Sequence, residues 1–349
     1  MMGFIWFWLV AITLVAYVVL DGFDLGVGIL HPFLAHTEKE RQLMLRSIGP
    51  VWDGNEVWLV AGGGTLYFAF PLLYASAFSG FYLALMIVLW LLIMRGASIE
   101  LRMQINIGVW KSFFDGLFFF SSTVLAIFYG AALANVIRGV PLHEDGYFFL
   151  PLWTNWRIGS QPGILDWYTV IGGVVAFVAL AEHGALYLAV KTEADLQERS
   201  RMLARRLWVL LVAATLVSLP ATMIARADTL ANYKAYPIAF LVPVAVLLAL
   251  LGMIQFSRKG ADRKAFACSC VYLTVMLVGA AIGLYPRLLP STTGSQYDIT
   301  VERALSGPHA LHVGLVWWAF GMGLALLYFI IVYRMFRGKV SLEGGGYGH

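Results

Sequence analysis

Nine stretches of about twenty mostly apolar residues follow one another along this chain, and a run of that length is what a helix needs to cross the hydrocarbon core of a bilayer. Their approximate bounds are 4–30, 51–73, 77–94, 113–137, 164–190, 207–225, 236–256, 266–286 and 310–333. Within lipid each segment must satisfy its own backbone polar groups, so runs of this kind fold as helices. The expected fold class is an all-α polytopic membrane protein, one integral membrane domain over residues 1–349 with about nine transmembrane helices. The balance of residues agrees: 60% are hydrophobic and only 13% are charged, which is far from a soluble domain. The second and third stretches are the least regular, because Pro71 lies between them and Gly62, Gly63 and Gly64 interrupt the second.

The basic residues test this count, since short cytoplasmic loops carry an excess of Lys and Arg. The loops after the first, third, fifth and seventh stretches, with the C-terminal tail, hold 18 of the 24 basic residues. That asymmetry predicts an N-terminus outside and a C-terminus in the cytoplasm. The net charge of +4 follows largely from these loop anchors, and with no nucleic-acid-binding motif present it points to no nucleic-acid partner. The first stretch is too long and too acidic for a removable signal and is expected to remain as an anchor. Cys268 and Cys270 fall at the cytoplasmic start of the eighth stretch and read as inert helix residues. The two longest outer loops, 138–163 and 287–309, hold Trp153, Trp156, Pro151, Pro162 and Pro290 and read as ordered interfacial caps.

Ionisable side chains at membrane depth are costly and are seldom there without a role. Two such groups occur early, Asp21-Gly-Phe-Asp24-Leu-Gly-Val-Gly28 and Trp52-Asp53-Gly54-Asn55-Glu56-Val-Trp58. The alternating topology places all four acids near the cytoplasmic face. Asp21 and Asp24 are three apart on a helix, as are Asp53 and Glu56, while Gly22 and Gly26 offer a small-xxx-small face for close helix approach. The third stretch ends in Arg95-Gly-Ala-Ser98-Ile-Glu100-Leu-Arg102, which brings charges of both signs to the same end. A buried polar cluster is expected there. One reading is a proton relay, with Asp21 and Asp53 as its carriers and Asp24, Trp52, Asn55, Glu56, Arg95, Ser98, Glu100 and Arg102 as polar support. The other is that Asp24 or Asp53 pairs with Arg95, Arg102 or backbone donors and only fixes helix packing.

Histidine is the residue to examine for haem or metal ligation, and only His183 and His312 fall within the stretches, with His309 at a boundary. His31, His36, His143 and His349 are expected in loops or the tail. No pair has metal-ligand spacing with a carboxylate except Glu182-His183, and adjacent helical residues point in different directions, so no metal site is expected. A secondary transporter would also contain intramembrane acids and glycine-broken helices. Such a protein shows matched interruptions in its two halves, whereas here the charged, glycine-rich features cluster in the first third.

The acidic segments, with Gly49-Pro50-Val51 before the second, Phe78-Ser79-Gly80-Phe81-Tyr82, the Arg95–Arg102 segment, Gly184-Ala185-Leu186-Tyr187-Leu188 and Tyr285-Pro286-Arg287-Leu288-Leu289-Pro290-Ser291, closely resemble subunit II of cytochrome bd-type quinol oxidases, in order and spacing and nearly end to end. The resemblance implies two four-helix bundles plus one peripheral helix. It implies a bacterial inner-membrane complex that oxidises quinol and reduces dioxygen to water. In that complex subunit I carries the haem b and haem d groups, while this chain binds no cofactor alone and supplies a cytoplasmic proton path through residues matching Asp21 and Asp53. Small single-helix accessory subunits, lipids and quinone are further partners the resemblance suggests.

Overall fold

The computed structural model describes residues 1–342; His349 and the terminal glycine run lie outside the described residues. Long helices dominate: α1 (Met2–Leu34), the short amphipathic α2 (Glu38–Ile48), α3 (Trp52–Ala69), α4 (Pro71–Gly80), α5 (Tyr82–Leu101), α6 (Gly108–Arg138), α7 (Trp167–Lys191) and α8 (Ala194–Ala225). After one turn of α9 (Ala231–Ala235) come α10 (Leu241–Arg258), α11 (Asp262–Leu284), the turn α12 (Val301–Ala304) and α13 (Pro308–Met335).

Two helices form the centre. Every residue from Asp21 to His31 on α1 and from Val178 to Ala189 on α7 is buried, and a helix buried all round must be enclosed by other helices. They can touch because Gly26 and Gly184 leave no side chains between them: a Cβ on Gly26 would lie 2.7 Å from the Gly184 Cα. A second close crossing joins α6 to α7, where a Cβ on Gly130 would lie 2.6 Å from the Ala176 Cβ. Small residues at such contacts let backbones approach and gain dispersion energy where lipid offers no hydrophobic drive. Helices α3 and α6 pack on α1, with α5 against α6; α8 and α11 pack on α7, with α10 against both of them. The result is two four-helix bundles sharing the α1–α7 seam. Helix α13 runs along the outside of the first bundle, with Leu311 its one buried residue among those described.

Eight helical stretches among the described residues are long and apolar enough to cross a membrane, where nine were expected. The difference is the stretch at 51–73. It becomes α3, whose polar first turn and three glycines dilute its apolarity, and it ends early at Phe70 (φ −133, ψ 64). Pro71 then starts α4 as its first residue, where the missing N–H costs nothing. The third stretch shifts from 77–94 to Tyr82–Leu101. Helix α3 nevertheless runs antiparallel to α1 along most of its length: Asn55 reaches the Leu20 carbonyl at one end and Phe68 packs 5.3 Å from Trp6 at the other.

The two long loops at 138–163 and 287–309 are ordered, as expected. Strands β1 (Arg287–Leu289) and β2 (Ile299–Thr300) pair antiparallel, Val140 bridges to Ser291, and Val140, Phe148, Leu289 and Ile299 join Trp6, Phe7 and Phe70 in an apolar cap. Asp166 accepts from the Tyr168 and Thr169 amides at 2.8 and 2.9 Å, capping α7, and pairs with the buried Arg138.

Candidate functional site

Asp21 is enclosed on all sides and is held by one residue. The Arg95 guanidinium on α5 donates to both its oxygens, Nη1 to Oδ2 at 2.8 Å and Nη2 to Oδ1 at 2.7 Å. Both side chains are 0% exposed. Arg95 Nη2 also donates to Glu56 Oε2 on α3 at 2.9 Å, so one guanidinium ties three helices together. Two carboxylates against one guanidinium leave a surplus of one acid. A bidentate fork of this kind is the strong geometry for an arginine–carboxylate pair. Above it, Tyr17 donates to the Tyr129 hydroxyl at 2.7 Å.

Asp24 is equally buried and has different company. Its Oδ2 accepts from Asn55 Nδ2 at 2.8 Å, while Oδ1 has no hydrogen-bond partner. Asn55 in turn accepts from Tyr333 Oη on α13 at 2.8 Å. Helix α13 is thereby fastened at its C-terminal end to the centre of the first bundle. Asp24 sits about 15 Å inside the end of α1 at the usual 1.5 Å rise.

Of the residues expected to cluster, Asp21, Glu56 and Arg95 meet and Asp24 meets Asn55, while the others lie apart. Asp21, named as a proton carrier, is the acid that Arg95 clamps. Glu56, named as support, is its second anion. Asp53 lies on the exposed side of α3; the fold does not bring it to Asp21. Trp52 packs over Gly96, 3.4 Å from where a Cβ would be. Ser98 donates back to the Arg95 carbonyl at 2.6 Å, which orients the turn carrying Arg95. Glu100 points outward.

Arg102 belongs to a separate group at the end of α5, with partners the sequence did not single out. Its Nε and Nη2 donate to Asp115 at 2.5 and 3.0 Å, and Nη2 also donates to Glu38 at 3.0 Å. His31 Nε2 lies 2.7 Å from Asp115, and Lys111 lies 3.0 Å from Glu38. Partial burial works against ionised Glu38, yet hydrogen bonds from Arg102 and Lys111 prevail and hold its carboxyl down at about 2. An acid at the mouth of the fourth expected stretch, Asp115, was the available signal.

His31, expected in a loop, is instead buried in the last turn of α1, and the two histidines expected within the stretches have other partners. His183 is fully buried, but Nδ1 lies 2.7 Å from Ser269 Oγ and Nε2 lies 3.0 Å from the Val19 carbonyl, so both ring nitrogens are engaged. His312 faces outward with Nδ1 against the Pro308 carbonyl at 2.7 Å. No group of three or more metal-binding side chains occurs among the described residues.

The family model for cytochrome bd terminal oxidase subunit II matches residues 2–336. This chain belongs to that family. It is 32% identical over 350 residues to cytochrome bd ubiquinol oxidase subunit 2 of Bacillus subtilis (strain 168), covering 97% of this chain and 96% of the relative. It is 32% identical over 368 residues to cytochrome bd-I ubiquinol oxidase subunit 2 of Escherichia coli (strain K12), covering 97% and 95%. A chain in the structure of bd oxidase from Geobacillus thermodenitrificans shares the fold, with a TM-score of 0.77 over 96% of this chain and 98% of that one, at 15% identity. As a subunit II, the chain is a multi-pass protein of the bacterial inner membrane and part of a quinol oxidase complex that contains haems and a subunit I.

Proposed function

We propose that this subunit II takes protons from the cytoplasm and passes them across one lateral face to a haem-bearing subunit I, where quinol electrons reduce dioxygen to water. The observation that carries the proposal is the surplus acid around Arg95, beside an exposed Asp53. Asp21 and Glu56 share one guanidinium, so the group has capacity for one proton without losing its arginine pair. Asp53 precedes Glu56 by three residues on α3 and so neighbours it on the helix surface. It heads an exposed stripe that continues through Val57, Val60 and Tyr67. A carboxylate on such a stripe is costly against lipid, and a protein partner covering it removes that cost. The route reads from the cytoplasmic rim to Glu56 and Asp21, with Asp53 as the contact to the partner.

In this arrangement the N-terminus is outside and the C-terminus is cytoplasmic, following the basic loops. Protons drawn from inside for dioxygen reduction, with quinol protons released outside, build a membrane potential without a pump. The haems belong to subunit I in this reading, which accords with the engaged nitrogens of His183.

The test is oxygen consumption by the assembled complex. Asp53→Asn and Asp21→Asn should each slow dioxygen reduction with haem content unchanged, and the double substitution should be no slower than the slower single. Full activity in both singles overturns the relay; lost haem or failed assembly identifies the acids as packing groups.

A further inference from the structure

The second bundle ends in positive charge that the chain itself leaves unanswered. Where α8 begins, α10 ends and α11 begins, six basic side chains gather: Arg205, Arg206, Arg258, Lys259, Arg263 and Lys264. The three segments touch directly. Arg205 Nη2 on α8 donates to the Ser257 carbonyl at the end of α10 at 2.9 Å. Arg201 Nη2 on α8 donates to Asp262 at the start of α11 at 2.7 Å, and Lys264 Nζ lies 5.7 Å from the centre of the Phe256 ring.

None of the six pairs with a carboxylate among the described residues. The acids in contact with this group, Glu198 and Asp262, are both taken by Arg201. In the first bundle, by contrast, Arg41, Arg102 and Lys111 each pair with Glu38 or Asp115. Five of the six are exposed, and Arg205 is half-buried. Its guanidinium is only partly used: Nη2 takes the Ser257 carbonyl and Nε has no partner.

Next to these charges the surface turns apolar. On α8, Val209 and Leu210 follow Arg206 by three and four residues and so share its face, and Leu216 and Val217 continue the exposed strip. On α10, Leu251 precedes Arg258 by two turns, with Leu247 and Leu248 beyond it, all exposed. Trp208 Nε1 donates to the Leu250 carbonyl at 2.8 Å, which fastens the two helices side by side at that level. A soluble anion would use only the charges. A molecule with an anionic head and apolar tails uses both surfaces, and each basic residue near a membrane surface favours anionic lipid by a factor of about five.

We propose that this end of the second bundle binds an anionic phospholipid, with its phosphate on Arg205, Arg206 and Arg258 and its acyl chains along the exposed strips of α8 and α10. The proposal rests on charge and packing here and stands whether or not Asp21 and Asp53 conduct.

The experiment is native mass spectrometry of the detergent-purified complex titrated with phosphatidylglycerol, with phosphatidylcholine as the zwitterionic reference. Wild type should hold one phosphatidylglycerol more tightly than any phosphatidylcholine. Arg205→Gln with Arg206→Gln should weaken that binding roughly twentyfold, while Arg334→Gln with Arg337→Gln, at the end of α13, should leave it unchanged. Equal retention of the two lipids, or equal loss in the two variants, overturns the site. Displacement of the lipid by excess inorganic phosphate shows a site for the free anion and overturns the lipid assignment. So does stoichiometric cross-linking of Lys259 or Lys264 to subunit I, which would make this face a subunit contact. Should the first variant fail to assemble, Arg206→Gln with Arg258→Gln, both exposed, replaces it, and unchanged lipid binding overturns the proposal.

Discussion

At the scale of single residues, Arg95 does most to determine what the acidic motifs become. A guanidinium at 0% exposure is tolerable only with anions in contact, and Asp21 and Glu56 supply them from two different helices. Replacing Arg95 by Gln leaves Asp21 buried without its counter-charge, a change that costs roughly 3–5 kcal/mol where one partner of a buried pair is removed. Arg95→Gln should therefore sharply reduce assembled complex, read as haem-containing protein per unit of membrane. Adding Asp21→Asn to it should recover part of the loss, because the orphaned charge is then gone. No recovery would show that Arg95 acts through something other than this pair.

At the scale of elements, two glycines and one short helix carry the argument. Gly26 meets the Leu180 carbonyl and the backbone of Gly184, so Gly26→Ala forces α1 and α7 apart. Overpacking of this kind costs about 1–3 kcal/mol, and the variant complex should lose haem at a lower temperature than wild type; an unchanged thermal profile would mean that the seam yields freely. Helix α2 meets the rim through Glu38. That carboxyl is held at about 2 against an ordinary 4.5, so its ion pairs stabilise the folded chain in full above 4.5 and are lost as the pH falls toward 2. Glu38→Gln should accordingly flatten the acid side of a stability-versus-pH curve for the solubilised complex. A curve identical to wild type would remove Glu38 from the set of stabilising contacts.

At the scale of the whole molecule, two bundles share a fully buried seam, while α13 and the outer sides of α3 and α5 remain open. Large apolar side chains such as Val60, Tyr67 and Trp90 are exposed there, and Asp53 is exposed in the first turn of the same α3 face. With the haems assigned to subunit I, the chain purified without that partner should be colourless, and the intact complex should show a haem spectrum that migrates with this chain. A haem band on the chain alone would overturn that assignment and reopen the roles of His183 and His312.

The sequence by itself determined that this is a helical membrane protein, and where most of its helices run, because bilayer thickness acts on each segment separately and leaves a local mark of length and apolarity. It also grouped Asp21, Asp24, Asp53, Glu56, Arg95, Glu100 and Arg102 at one depth, since alternating crossings return the same depth at each motif; Asp21, Glu56 and Arg95 do meet, while Arg102 pairs with Asp115 and Glu38 instead. Only the tertiary structure decided who pairs with whom. Asp21 and Asp24 look alike along the chain, and it is the rotation of α1 against α3 and α5 that gives one a guanidinium and the other an amide. The same holds for α3, where Pro71 ended the helix early. Pairing depends on helix rotation and on contacts between residues far apart in the chain, and neither leaves a local mark.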